Sequence, residues 1–188
     1  MNKQPEVTAQ TKQNLIEAFW SLYCEKRIEK ITVKEIAQKA GYNRGTFYEY
    51  FTDVYEVLDQ IEQSLIPTLG ELPPTAKPDN NTNMAFDMFF KQYEQNSKYY
   101  SVLLGDNGDP AFASKVKNSI KPLIMKEISR KVNKSDIELD FILEYILSAT
   151  IGILSYWFRT NKALAAEELM ALMYQLMDNE VMNKLSKF

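Results

Sequence analysis

Three side chains within five positions, Arg44, Thr46 and Tyr48, carry hydrogen-bonding groups suited to gripping a nucleic acid. An arginine guanidinium can donate two parallel hydrogen bonds to guanine O6 and N7. The hydroxyls of Thr46 and Tyr48 can reach phosphate oxygens, and the Tyr48 ring can cover a thymine methyl. Gly45 lies among them without a Cβ, so the backbone there can approach a partner closely. Catalysis has much less to work with. The chain has no histidine, which excludes His-based nucleophilic triads, Cys/His zinc fingers and His-ligated catalytic metals. Cys24 is the single cysteine, so no intrachain disulfide can form, and a reducing compartment is implied. An all-helical enzyme would need carboxylates or tyrosines as acid and base, and no such constellation stands out. The residues point away from an enzyme, a metal or a cofactor.

The elements that must position these groups are short helices. In "GYNRGTFYEYF", residues 41–51, five aromatic rings accompany Arg44 and two glycines. At about 100° per residue, Phe47 and Phe51 fall together on an inward face. Gly45, Tyr48 and Glu49 then point outward, with Arg44 and Thr46 at the flanks. Tyr42 and Tyr50 fit either packing or contact, and Glu49 fits a solvated edge. Asn43 is placed to cap this helix. The helix before it starts at Thr32, where Glu35 three residues on completes a capping box; Ile36, Ala37 and Ala40 share one side and Gly41 ends it. Leu15, Phe19, Leu22 and Tyr23 mark a first helix from about Thr11 to Lys26, and a fourth follows Thr52–Asp53 to about Ser64. Two short helices joined at Gly41-Tyr42-Asn43 match a helix-turn-helix, whose second helix presents its first residues to base edges in the major groove.

The remainder is helical in period, with no convincing alternation, so the fold class is all-α. Residues 67–83 hold four of the seven prolines and read as a connection. Helical patterns follow near 84–97, 110–131 (with Pro122 expected to break or kink it), 136–159 and 164–185. A helix-turn-helix domain over 1–65 and a larger helical domain over 66–188 result. Charge follows the same division: residues 1–52 carry eight Lys/Arg and six Asp/Glu, whereas 53–188 carry fourteen and nineteen. A net charge of −3 argues against a protein that coats nucleic acid indiscriminately. The N-terminus lacks the apolar core of a signal peptide, and the apolar run 145–158 is too short to cross a bilayer, so a cytoplasmic protein without a membrane is expected. Within "FILEYILSATIGILSYWF", Ser148, Gly152 and Ser155 form a small-residue stripe that admits another helix closely. Leu169, Leu172, Met173, Leu176 and Met177 form an apolar stripe on the last helix. Both suit an interface, since a monomer would leave an apolar face wet; intramolecular packing is the other reading.

"ITVKEIAQKAGYNRGTFYEYFTDVYEVLDQI", residues 31–61, resembles the DNA-binding signature of the TetR family of bacterial transcription regulators. The "T-x-x-E-I-A-x-x-A-G" run, the "G-T-x-Y-x-Y-F" run and their spacing carry the resemblance. It implies a homodimer with two heads on a palindromic double-stranded DNA operator and bodies that bind a small-molecule effector, most simply a ligand-responsive repressor. The DNA contacts it implies are Thr32, Lys34, Arg44, Gly45, Thr46, Tyr48 and Tyr50. One departure is Val54, where the family commonly has a phosphate-binding lysine; Lys34, Lys39, Lys3 or Lys12 are the candidates to replace it. The resemblance also implies that the last two helices pair with their symmetry mates in a four-helix interface. It places Met88, Phe89, Tyr93, Tyr99, Tyr100, Phe112, Tyr145 and Trp157 in segments lining an effector pocket. Alternatives are an activator that also contacts another protein, or a dimeric structural module whose head no longer binds DNA.

Overall fold

The computed structural model describes residues 5–66, 95–105, 108–129 and 136–177. Among these, every regular element is helical and there is no strand. The chain divides into two compact units, Met1–Leu65 and Ile66–Phe188.

In the first unit α1 spans Pro5–Tyr23, beginning six residues before the Thr11 that its apolar spacing suggests. Proline suits the first turn of a helix, where its missing N–H has no partner to lose. A single 3-10 turn, Ile28–Lys30, leads to α2, Val33–Lys39. The expected capping box is present: the Glu35 N–H donates to the Thr32 hydroxyl, and the Glu35 carboxylate accepts from the Thr32 N–H. Gly41, at φ +79°, closes α2. That left-handed turn carries the Tyr42 N–H back to the Ala37 carbonyl at 2.8 Å and the Gly41 N–H to Gln38 at 3.2 Å, a Schellman closure that satisfies two carbonyls at the helix end. α3 is Arg44–Tyr48 and α4 is Val54–Leu65. α1 packs on α2 and α4, and α2 on α3. Leu15, Phe19, Ile36, Phe47, Phe51 and Val57 are buried at the centre.

The second unit contains α5 (described over 95–103), α6 (Phe112–Ser129), α7 (Asp136–Arg159) and α8 (Ala166–Met177). α6 is continuous through Pro122, so of the expected break or kink the break does not occur. A proline inside a helix removes the hydrogen bond to the carbonyl four residues back; here that carbonyl belongs to Asn118, and both residues are exposed, so water can replace the lost donor. Lys117 and Lys121 of α6 meet Asp140 and Glu144 of α7, with Lys121 Nζ at 2.9 Å from Asp140 and 3.1 Å from Glu144, while Lys117 pairs with Glu144. α7 ends in a second Schellman closure, the Lys162 N–H reaching the Trp157 carbonyl at 2.9 Å and the Asn161 N–H reaching Phe158 at 3.1 Å. Asn161 takes the positive φ, 53°, that this turn requires, and Lys162 after it is also at positive φ, 56°.

α7 has two different faces. Leu139, Leu143, Ile146, Leu154 and Trp157 are buried. Phe141, Tyr145, Ser148, Gly152 and Tyr156 are exposed on the opposite side, within about 100° of arc at 100° per residue. α8 divides similarly, with Leu169 and Met173 buried and Leu172 and Leu176 exposed. Leu169 and Met173 are already covered within their own chain, whereas Leu172 and Leu176 are large apolar groups of α8 open to a partner.

Candidate nucleic-acid interface

α3 is only five residues long, so its position depends on its two anchors and its cap. Phe47 is fully buried and Phe51 nearly so, their rings 5.4 Å apart. They fix the inner face and turn Arg44, Gly45, Tyr48 and Glu49 to solvent, with Thr46 and Tyr50 half-buried. Tyr48 is 58% exposed, although Phe47 packs edge-on against its ring. The Asn43 carbonyl oxygen of the side chain accepts from the Thr46 N–H at 2.9 Å, the expected cap, and from the Thr46 hydroxyl at 3.4 Å. Gly45 has a role here that its place beside the candidate contacts conceals. A Cβ at Gly45 would stand 3.0 Å from Asn43 Oδ1, so the missing side chain makes room for the cap itself. Tyr42, open between packing and contact on sequence, accepts a hydrogen bond from Asn14 Nδ2 at 3.0 Å, which pins the turn before α3 to α1.

Among the other expected contacts, Lys34 is exposed on the first turn of α2. Thr32 is exposed but engaged: its N–H and its hydroxyl both donate to Glu35 Oε2, at 3.0 and 2.9 Å. A phosphate could take either donor only by displacing that carboxylate. Lys26 closes on Glu35 at 2.7 Å and neutralises it, a pairing that sequence spacing did not indicate. The Lys26 hydrogen bond and then the two Thr32 bonds hold Glu35 at about 2, against an ordinary 4.5. Val54, the family's lysine position, is an apolar core residue with 9% exposure. At this mouth of α4 the Asp53 carboxylate accepts from the N–H groups of Tyr55 and Glu56, and the Glu56 carboxylate accepts from the N–H and hydroxyl of Thr52.

A capped, exposed helix α3 on a three-helix support coincides with the matches to known proteins. Residues 12–61 match the family described as bacterial regulatory proteins, tetR family, and residues 80–179 match its transcriptional regulator C-terminal region. The chain belongs to the TetR family. By family it is therefore a DNA-binding transcriptional regulator. Its sequence is 23% identical over 170 residues to the HTH-type transcriptional regulator YxbF of Bacillus subtilis (strain 168). That match covers 87% of this chain and 44% of YxbF, so the chain spans less than half the length of that relative. In fold it is similar to a TetR transcriptional regulator from Streptococcus agalactiae, with a TM-score of 0.66 at 23% identity, covering 91% of this chain and 95% of that one. The dihydroxyacetone kinase operon activator DhaS is also similar, with a TM-score of 0.61 at 21% identity, covering 95% and 97%.

In this TetR-family body some of the residues expected around an effector are described. Tyr100 and Phe112 are fully buried with ring centroids 6.1 Å apart. Trp157 is buried at the α7–α8 corner, where its indole N–H donates to the Leu164 carbonyl at 2.8 Å and Lys162 lies 5.7 Å over its ring. Tyr145 is 64% exposed and shares the outward face of α7 with Ser148 and Gly152. Tyr99 is half-buried beneath the Lys98 ammonium. Met88, Phe89, Tyr93 and the proline-rich connection lie outside the described residues. Ser155 is half-buried at the edge of the outward α7 face. Among the described residues no helix is long and apolar enough to cross a membrane, and no group of His, Cys, Asp and Glu could hold a metal ion.

Proposed function

We propose that the protein is a ligand-responsive transcriptional repressor that works in the cytoplasm and binds a palindromic operator as a homodimer. The observation that carries the DNA reading is the outward face of α3, where Arg44, Gly45 and Tyr48 are exposed at the mouth of a helix whose inner face is locked by Phe47 and Phe51. Arg44 reads a base, and Thr46, Tyr48, Tyr50 and Lys34 hold phosphates. Thr32 acts through the α2 cap, because its donors are committed to Glu35. The homodimer reading is supported by the uncovered face of α7, with Gly152 and Ser148 at its centre, and by Leu172 and Leu176 of α8. The effector reading is supported by the buried aromatic residues of the body, which suit an apolar or amphipathic small molecule. Regulators of this fold act in both directions, as the activator DhaS illustrates, and a reporter fused to the bound promoter distinguishes repression from activation.

The test of the DNA reading is Arg44→Ala, assayed on a duplex that the wild-type protein selects from a random library and on an unrelated duplex of equal length. A lost bidentate base contact costs about 1–3 kcal/mol of discrimination per head. An unchanged specificity ratio would remove Arg44 from the readout. For the effector, calorimetric titration of a candidate compound into free protein and into the protein–DNA complex must give different affinities, by the same factor with which the compound weakens DNA binding. Equal affinities refute the coupling, since a ligand without preference shifts no equilibrium.

A further inference from the structure

We propose that Lys12 of α1 is a phosphate-anchoring residue, placed beside the corner between α3 and α4. The proposal rests on the reading that α3 enters the major groove. The corner is otherwise adverse to DNA. Glu49 and Asp53 are exposed there, Glu56 follows them, and Val54 is apolar and buried. The backbone donors at the start of α4 are taken by Asp53, and the Thr52 N–H before them by Glu56, so they are not open to a phosphate. A positive charge beside these carboxylates favours a phosphate at that corner.

Lys12 supplies that charge in a prepared form. Its ammonium lies 5.7 Å from the centroid of Phe51, which stands in the link between α3 and α4. It is near enough to Glu56 to help draw that carboxyl below its ordinary range, after the larger effect of the Thr52 bonds. Among the described residues, however, Lys12 makes no hydrogen bond or ion pair, so its three donors stay available to an outside anion. Lys26 differs in this respect, being closed on Glu35 at 2.7 Å. The half-buried side chain holds the charge in place, which reduces the entropy lost when it binds.

The experiment compares wild type, Lys12→Met, Lys12→Arg and Arg44→Ala on the library-selected duplex, by fluorescence anisotropy from about 50 to about 200 mM salt. Methionine keeps an unbranched stem against Phe51 and removes only the charge. Losing one phosphate contact lowers the slope of log affinity against log salt by about 0.9 per head, or about 1.8 for two heads. The deficit of Lys12→Met should therefore shrink by about an order of magnitude over that fourfold range, and Lys12→Arg should restore the wild-type slope. A wild-type slope in Lys12→Met overturns the proposal, as does a lower thermal midpoint with an unchanged slope, which would make Lys12 a packing residue only. Arg44→Ala separates the two claims. If it loses specificity while Lys12→Met keeps the slope, the Lys12 assignment alone fails; if it keeps specificity, the recognition-helix reading has failed first.

Discussion

Gly152→Ala separates the stability of one chain from the association of two. An ideal Cβ built on Gly152 meets no atom within 4 Å inside its own chain. Replacing a glycine in a helix interior by alanine stabilises the helix by about 1 kcal/mol, through the backbone entropy that glycine loses on folding. α7 is helical in both monomer and dimer, so this gain cancels from the association equilibrium and appears only in the unfolding of the monomer. If the outward face of α7 packs closely on a symmetry mate, each added methyl is overpacked at a cost of about 1–3 kcal/mol. A two-fold interface takes two of them, about 2–6 kcal/mol, and the lower bound already weakens the dimer roughly 30-fold. Sedimentation across a concentration series should show the weaker dimer, while urea unfolding at a dilution where both proteins are monomeric should show the alanine variant more stable. These opposite signs cannot arise from a general destabilisation. A dimer dissociation constant within two-fold of wild type would refute close packing at Gly152 and move the interface elsewhere.

Two further expectations concern the head and the ion pairs. Asn43→Ala removes the cap of a five-residue helix, and a lost N-cap costs about 1 kcal/mol; DNA affinity should fall with little change in the helical circular dichroism of the whole chain, and undiminished affinity would show that α3 does not need its cap. Acid should weaken both units. Glu35 and Glu144 are each held at about 2, the first chiefly by Lys26 and the second by Lys117 and Lys121. Because these folded-state values lie below the ordinary 4.5, the stabilisation is full above that pH and is lost as the pH falls from 4.5 to about 2. Glu35→Gln and Glu144→Gln should flatten that part of the urea-midpoint profile, and a profile identical to wild type in both would deny the pairs any part in acid sensitivity.

Much of the head was legible because its signals act between residues a few positions apart. The Thr32–Glu35 box, the Asn43 cap and the Gly41 turn each join groups separated by at most five residues, so spacing alone specifies them. The inward pair Phe47 and Phe51 follows from one helical turn. Contacts over longer separations were not legible: Lys26 with Glu35, Asn14 with Tyr42, and Lys12 over Phe51 depend on how α1 crosses its neighbours. The early start of α1 and the continuity of α6 through Pro122 likewise depend on which backbone groups find partners or water.

In the body the sequence by itself determined that the chain is helical and that α7 and α8 carry more apolar surface than one packed side requires. It could not say which side is which. α7 is apolar almost all round, so its periodicity has no polar face to mark the outside. Leu169 and Met173 differ from Leu172 and Leu176 by less than a turn, yet the first two are buried and the others exposed. Tyr145 fits an apolar cavity or an uncovered face equally well by composition, and it stands on the face with Ser148 and Gly152. Only the tertiary structure decided these cases, because burial depends on where neighbouring helices lie and not on the residues a helix itself contains.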